Sequence, residues 1–247
     1  MTTNKEKEVA LHSIASTQYG ARIQLPLKMS PRLPYTSEGF LLHNGVRNIV
    51  ELIDQSFHEG EFRIFFVSGK ARRGKTHLSI YLFDSAARAG FYPRLVDGQE
   101  LSVKIEDINA GNKIVIIDDA HEYLVNVAAG NSGAFVKMVE TLRVAKAKLI
   151  LLSSVEVEEL TCDDHVKSRL RPGQGLSIES PTDFSLSPLI QLMAKQRGLK
   201  LTDRKVNFLL RRLGQDIRSI EDYLDRVNYL STLFGREVKF PLLSDAL

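Results

Sequence analysis

Apolar residues fall in two rhythms along this 247-residue chain. Val46, Ile49, Val50, Leu52 and Ile53 recur every three to four positions, which predicts an amphipathic helix over 44–58 capped by Asn44. Short runs rich in Ile, Val, Leu and Phe then alternate with helical segments. The runs predict strands over 62–67, 92–96, 114–117, 149–152 and 176–178. Between them lie a helix over 75–89, stopping at Gly90, and another over 134–145. Apolar strands separated by helices indicate an α/β fold with a five-stranded parallel sheet covered on both faces. Past Pro181 the strand rhythm ends, and 186–196, 203–212 and 216–230 read as helices. In the last of these, Ile217, Ile220, Leu224, Val227 and Leu230 form one stripe. The chain therefore divides into an arm over 1–35, an α/β domain over 36–180 and a small all-helical lid over 181–247. The arm contains Pro26, Pro31 and Pro34 with little periodicity, and is expected to be extended or disordered.

Composition narrows the class. The chain is 43% hydrophobic and 26% charged, the balance of a globular protein. Cys162 is the single cysteine, so an intramolecular disulfide is excluded and a reducing, cytoplasmic setting is expected. No apolar run approaches the ~18–20 residues that span a bilayer, and the N-terminus lacks the apolar core of a signal peptide. The net charge is only +3, with 33 basic and 30 acidic residues, which does not mark a dedicated DNA-binding domain. Cys162, Asp163, Asp164 and His165 are contiguous, which one tetrahedral ion cannot easily use, so they read as a loop. Lys195, Arg197, Lys200, Arg204, Lys205, Arg211 and Arg212 make the lid locally basic, a solvated helical face with weak DNA contact as the alternative.

Chemistry concentrates in two places. Gly69-Lys70-Ala71-Arg72-Arg73-Gly74-Lys75-Thr76 matches G-x-x-x-x-G-K-[ST] between a predicted strand and a predicted helix. Gly69 and Gly74 let backbone N–H groups turn onto phosphate oxygens. Lys75 reaches the β- and γ-phosphates, and the Thr76 hydroxyl can ligate Mg²⁺. The run 114–117 then delivers Asp118 and Asp119 to the C-terminal edge of a buried strand, where α/β sheets bind ligands. Asp118 is the expected Mg²⁺ partner, and Asp119 the residue to orient or deprotonate a water.

These residues, with Gly74-Lys75-Thr76-His77-Leu78 and Ile117-Asp118-Asp119-Ala120-His121-Glu122, resemble the AAA+ core of the DnaA-related family. Leu149-Ile150-Leu151-Leu152-Ser153-Ser154 is similar to the sensor 1 strand, pointing to Ser154. Val166-Lys167-Ser168-Arg169-Leu170 resembles the motif whose arginine, here Arg169, acts as an arginine finger on a neighbouring subunit. The run 214–221 resembles sensor 2, whose arginine, here Arg218, reaches the nucleotide from the lid. The run 40–45 looks like the box that borders the adenine, implicating Asn44 beside His77. An initiator continues into a helix-turn-helix domain past the lid. The short architecture resembles instead the Hda type, which binds the DNA-loaded sliding clamp and promotes hydrolysis of DnaA-bound ATP. Gln24-Leu25-Pro26-Leu27 is similar to the clamp-binding peptide of that type. The resemblance implies ADP or ATP with Mg²⁺ as cofactors. It implies the polymerase III sliding clamp (beta subunit) and DnaA as partners, DNA indirectly or weakly, and no membrane. It implies an activator of DnaA rather than an efficient ATPase, and leaves self-association open. The alternative is a DnaC-type helicase loader, whose helicase-binding domain ~35 residues with three prolines would not form. One departure stands out: Arg72 replaces the first glycine of the usual Gly-x-Gly-Lys.

Overall fold

The computed structural model describes residues 36–126, 132–181, 183–213, 217–235 and 238–247. The arm, with Gln24, Leu25, Pro26 and Leu27, lies outside them. Five strands, β1 (Arg63–Ser68), β2 (Arg94–Asp97), β3 (Ile114–Asp118), β4 (Lys148–Ser153) and β5 (Gln174–Ser177), form one parallel sheet in the order β2-β3-β4-β1-β5. The α/β expectation is met.

Alternation along the central strands builds two cores. Phe65 and Val67 of β1, Ile116 of β3 and Ile150 and Leu152 of β4 face α1 (Asn44–Ser56) and α2 (Lys75–Arg88). Ile64 and Phe66, Val115 and Ile117, and Leu149 and Leu151 face the other way, toward Phe135, Met138, Val139 and Leu142 of α5 (Gly133–Val144). Side chains of successive strand residues point to opposite faces, so near-continuous apolar runs are what a sheet covered on both sides requires. A third cluster lies within the C-terminal helices α7 (Asp183–Gln196), α8 (Asp203–Leu210), α9 (Ile217–Phe234) and α10 (Phe240–Asp245), around Ile190, Val206, Tyr223 and Leu224. The buried Tyr223 hydroxyl donates to the Leu243 carbonyl at 2.6 Å, tying α10 onto α9.

Several local expectations change. The cap of α1 is His43, whose Nδ1 accepts from the Gly45 N–H at 3.1 Å, and Asn44 is the exposed first residue of the helix. β2 starts at Arg94 rather than 92, because Pro93 has no N–H for the ladder and Tyr92 is left exposed. Short helices α3 (Leu101–Lys104), α4 (Ala120–Asn126), α6 (Asp164–Leu170) and α10 carry too few turns for a periodicity to register. Arg197 departs from the solvated lid face: its Nε donates to Asp225 Oδ1 at 2.6 Å and its side chain is only 11% exposed.

Candidate nucleotide site

The C-terminal ends of β1, β3 and β4 meet at one edge of the sheet. Gly69 N–H donates to Ser153 O at 3.0 Å, pinning the start of the loop after β1 to the end of β4. The loop then turns through two left-handed residues, Arg72 at φ 63° and Gly74 at φ 87°, before entering α2 at Lys75. Gly74 carries that conformation without a Cβ to object. At Arg72 it costs about 1 kcal/mol or more relative to glycine.

Lys75 is 7% exposed and folds back over its own loop, donating from Nζ to Gly69 O at 3.1 Å. A cation held there sits where phosphate oxygens would converge with the N–H groups of the α2 N-terminus. The Thr76 hydroxyl lies close enough to the Asp118 carboxylate to favour its charged form, so loop and acidic strand meet at the expected metal position. Burial pushes the Asp118 carboxyl above the usual carboxylate range. The Thr76 hydroxyl partly opposes this, and neighbouring Asp119 adds to the rise. Two hard oxygen donors with room for phosphate and water suit Mg²⁺, which keeps most of its shell from substrate and solvent. Among the described residues no cluster of three or more His, Cys, Asp or Glu offers an all-protein metal cage.

Asp119 is itself left-handed, at φ 44°, and its N–H donates to Asp118 Oδ1 at 3.1 Å. Its backbone is packed against Gly98, whose N–H donates to Asp118 O at 2.7 Å. A Cβ on Gly98 would lie 2.2 Å from the Asp119 carbonyl oxygen. Gly98 therefore shapes the acidic turn, a role no motif announced.

Ser154 is half-buried, and its N–H donates to His121 Nδ1 at 3.4 Å, joining the end of β4 to α4. The preceding Ser153 spends its hydroxyl on the Val155 carbonyl at 2.6 Å. A cavity of about 390 Å³ opens here, lined by Gly69, Lys70, Arg73, Ser154, Glu156 and Ser177 among others. On the other side of α2, Phe40 lies 6.5 Å from the His77 ring in near-parallel orientation and 5.3 Å from Tyr81. This apolar wall beside the first turn of α2 suits a flat base. Burial lowers the His77 pKa; burial and then the Arg73 charge lower that of His43, so both rings favour the neutral form. His43, rather than Asn44, is the buried residue of the box.

The two distal arginines differ. Arg218 at the start of α9 is 68% exposed, with Asp222 as its partner at 3.9 Å. Three residues on, Glu221 Oε2 accepts from Arg72 Nη1 at 3.0 Å, linking lid and phosphate loop. With side chains 51% and 37% exposed, such a pair contributes about 0.2–1 kcal/mol, no more than the backbone strain at Arg72. Arg169 on α6 is held by Glu140 of α5, Nε to Oε1 at 2.8 Å, and by Ser168 Oγ at 3.2 Å from Nη1. Glu140 Oε2 also faces Arg143 Nε at 3.6 Å.

Residues 185–247 match the family model described as "Hda, lid domain". An uncharacterized protein of Haemophilus influenzae is 25% identical over 240 residues, covering 91% of this chain and 98% of that protein. The chromosomal replication initiator protein DnaA of Roseobacter denitrificans is 26% identical over 214 residues, 75% of this chain. The chain spans 45% of the length of that DnaA. Domain III of Thermotoga maritima DnaA superposes with a TM-score of 0.70 at 18% identity, covering 86% of this chain and 95% of that one. AMPPCP-bound DnaA from Aquifex aeolicus gives 0.64 at 22% identity, covering 87% and 71%. The Thermotoga maritima branch-migration motor RuvB reaches 0.63 at 15% identity, covering 87% and 71%, so the fold alone does not choose among AAA+ proteins. The lid narrows the choice.

Proposed function

Because this chain is a DnaA-related AAA+ protein of the Hda type, we propose that it is a negative regulator of chromosomal replication initiation that promotes hydrolysis of DnaA-bound ATP. Its own adenine nucleotide, ADP or ATP, would lie between the phosphate loop and the lid. Lys75 and the loop amides would hold the phosphates, and Phe40, His77 and Tyr81 would border the base. Mg²⁺, held by Thr76 and Asp118, would neutralise phosphate charge, with Asp119 and Ser154 facing the reacting end. Arg218 would approach from the lid. The arm would tether the chain to the sliding clamp: Gln24 at the rim of a pocket, Leu25 and Leu27 inside it, Pro26 restricting Leu25 to extended conformations beforehand. Action at the clamp places the protein in the cytoplasm at the replisome. No helix among the described residues is long and apolar enough to cross a membrane.

One observation carries this reading: Arg169 is ordered by Glu140 and Ser168, and no group of its own phosphate loop is among its partners. A guanidinium fixed at Nε and Nη1, with its side chain 34% exposed, is available to a partner's active site. There it would stabilise the charge of the phosphoryl-transfer transition state, worth on the order of 10³–10⁵ in rate in well-studied NTPases. The test is hydrolysis of DnaA-bound ATP, with clamp on DNA, by wild type, Arg169→Ala and Arg169→Lys. Lysine lacks the planar fork of donors, so both variants should lose most of the stimulation while keeping their own nucleotide. Full stimulation by Arg169→Ala rules the reading out.

A further inference from the structure

We infer that Arg72 and Glu221 form a strut that holds the lid against the phosphate loop, making nucleotide release depend on this ion pair. The inference rests on the nucleotide reading of the loop and goes beyond it. Three observations support it. Arg72 occupies a left-handed position, φ 63°, that glycine would fill without strain. Its side chain leaves the loop altogether and crosses 149 positions of sequence to reach Glu221 Oε2 at 3.0 Å. An exposed pair offsets the strain at best, so the stability of the folded chain does not account for an arginine here. Strained backbone of this kind persists where the side chain has work to do.

Position tells what that work is. Arg72 lies two residues before the left-handed Gly74 and three before Lys75, so its backbone belongs to the turn that would wrap the phosphates. Glu221 lies one turn into α9, three residues after Arg218, on the lid face that carries that arginine. A second bridge joins lid and core nearby: Gln196 Nε2 of α7 donates to Gly39 O at 3.4 Å, beside Phe40. A nucleotide bound between loop and lid would thus be enclosed by two bridges, and opening the lid would require breaking the charged one. In sequence, the charged neighbours of the pair are Arg73, next to Arg72 on the loop, and Arg218 and Asp222, which flank Glu221 on α9. Asp222 already faces Arg218 at 3.9 Å, leaving Glu221 for Arg72. Arg72 is a positioning residue: it acts on nucleotide through the lid.

The experiment uses the full chain with Arg72→Ala, Glu221→Gln, both together, and the reversed pair Arg72→Glu with Glu221→Arg. Two quantities are read: the dissociation rate of a fluorescent adenine nucleotide with Mg²⁺, and amide exchange at 217–224 in nucleotide-free protein. Each single variant should release nucleotide about 3–5 times faster and exchange faster in the first turns of α9. The double variant should be no worse than either single, and the reversed pair should recover most of both readouts. Unchanged exchange and release in Glu221→Gln overturn the inference, as does a fully additive double variant. If the wild type binds no adenine nucleotide, the nucleotide reading fails, and exchange in the nucleotide-free variants still decides whether the strut holds the lid.

Discussion

Lys75 and Arg169 are both cations tied to phosphoryl chemistry by their motifs, and the fold treats them in opposite ways. Lys75 is buried, closed over its own loop, with a carbonyl of that loop for a partner. Arg169 is a third exposed and braced by an acid on the neighbouring helix α5 and by the hydroxyl of the residue before it. A group that serves its own site can be placed by the loop that makes the site. A group that serves another molecule's site must stay accessible, so its order has to come from flanking side chains instead. An arginine side chain loses considerable rotamer freedom when fixed, and Glu140 arranges that in advance. The contrast separates binding from action: damage to the loop should cost the chain its ligand, and damage at Arg169 should cost only its effect on a partner.

The largest expected effect is at the loop. A ligand at ~100 times its dissociation constant stabilises the fold by about 2.7 kcal/mol. For a chain of this size that is a rise of roughly 5–10 °C in melting midpoint with adenine nucleotide and Mg²⁺. Lys75→Ala should abolish most of the rise, whereas Arg169→Ala should retain it. Wild type that melts at the same temperature with and without millimolar ADP and ATP would show that the loop does not hold adenine nucleotide.

A smaller effect, with its sign set by linkage, is expected at Asp118. Its folded-state pKa is raised by burial, so its favourable contribution is complete below the unfolded value and is lost as pH rises through the folded value. At neutral pH the ionised carboxylate is a net cost that a bound cation would relieve. Asp118→Asn should therefore melt higher than wild type at pH 7 without ligand. The gap should close as pH falls toward 4, and the variant should lose Mg²⁺-dependent stabilisation by nucleotide. A variant that melts lower than wild type at pH 7 would show that the carboxylate is structural.

The smallest effect on stability is expected from the arm. Replacing Gln24, Leu25 and Leu27 by alanine should remove clamp binding and leave the melting midpoint unchanged. A triple variant that still co-migrates with the clamp would place the tether elsewhere.

The centre of the sheet was readable because β1, β3 and β4 are buried on both faces and so appear as Ile, Val, Leu and Phe runs, whereas the edge strands β2 and β5 are short and partly exposed and carry a weaker signal. The phosphate loop was readable because its chemistry is local: glycine, lysine and threonine at fixed spacing between a strand and a helix. What escaped is what depends on distant contacts. Gly98 looks like any turn glycine until the Asp119 carbonyl, 21 positions later, is packed against it at 2.2 Å from where a Cβ would sit. Arg72 reads as a departure from a motif, and only the folded chain brings Glu221 to it. Asn44 is a good capping residue by type, yet its neighbour His43 takes the cap, because the position one residue earlier has the extended backbone that an N-cap needs. Arg169 and Arg218 were both read from motifs as nucleotide-facing; Asp222 lies four residues past Arg218 on the same helix and is legible from spacing, whereas Glu140, 29 positions before Arg169 on another helix, is not.

The proposed role requires that this chain act on the nucleotide of another protein. Its most direct measurement is the rate at which ADP appears from ATP-charged DnaA, with this protein and DNA-loaded clamp added separately and together. A clear acceleration is expected only when both are present, and an unchanged rate under that condition would contradict action on DnaA.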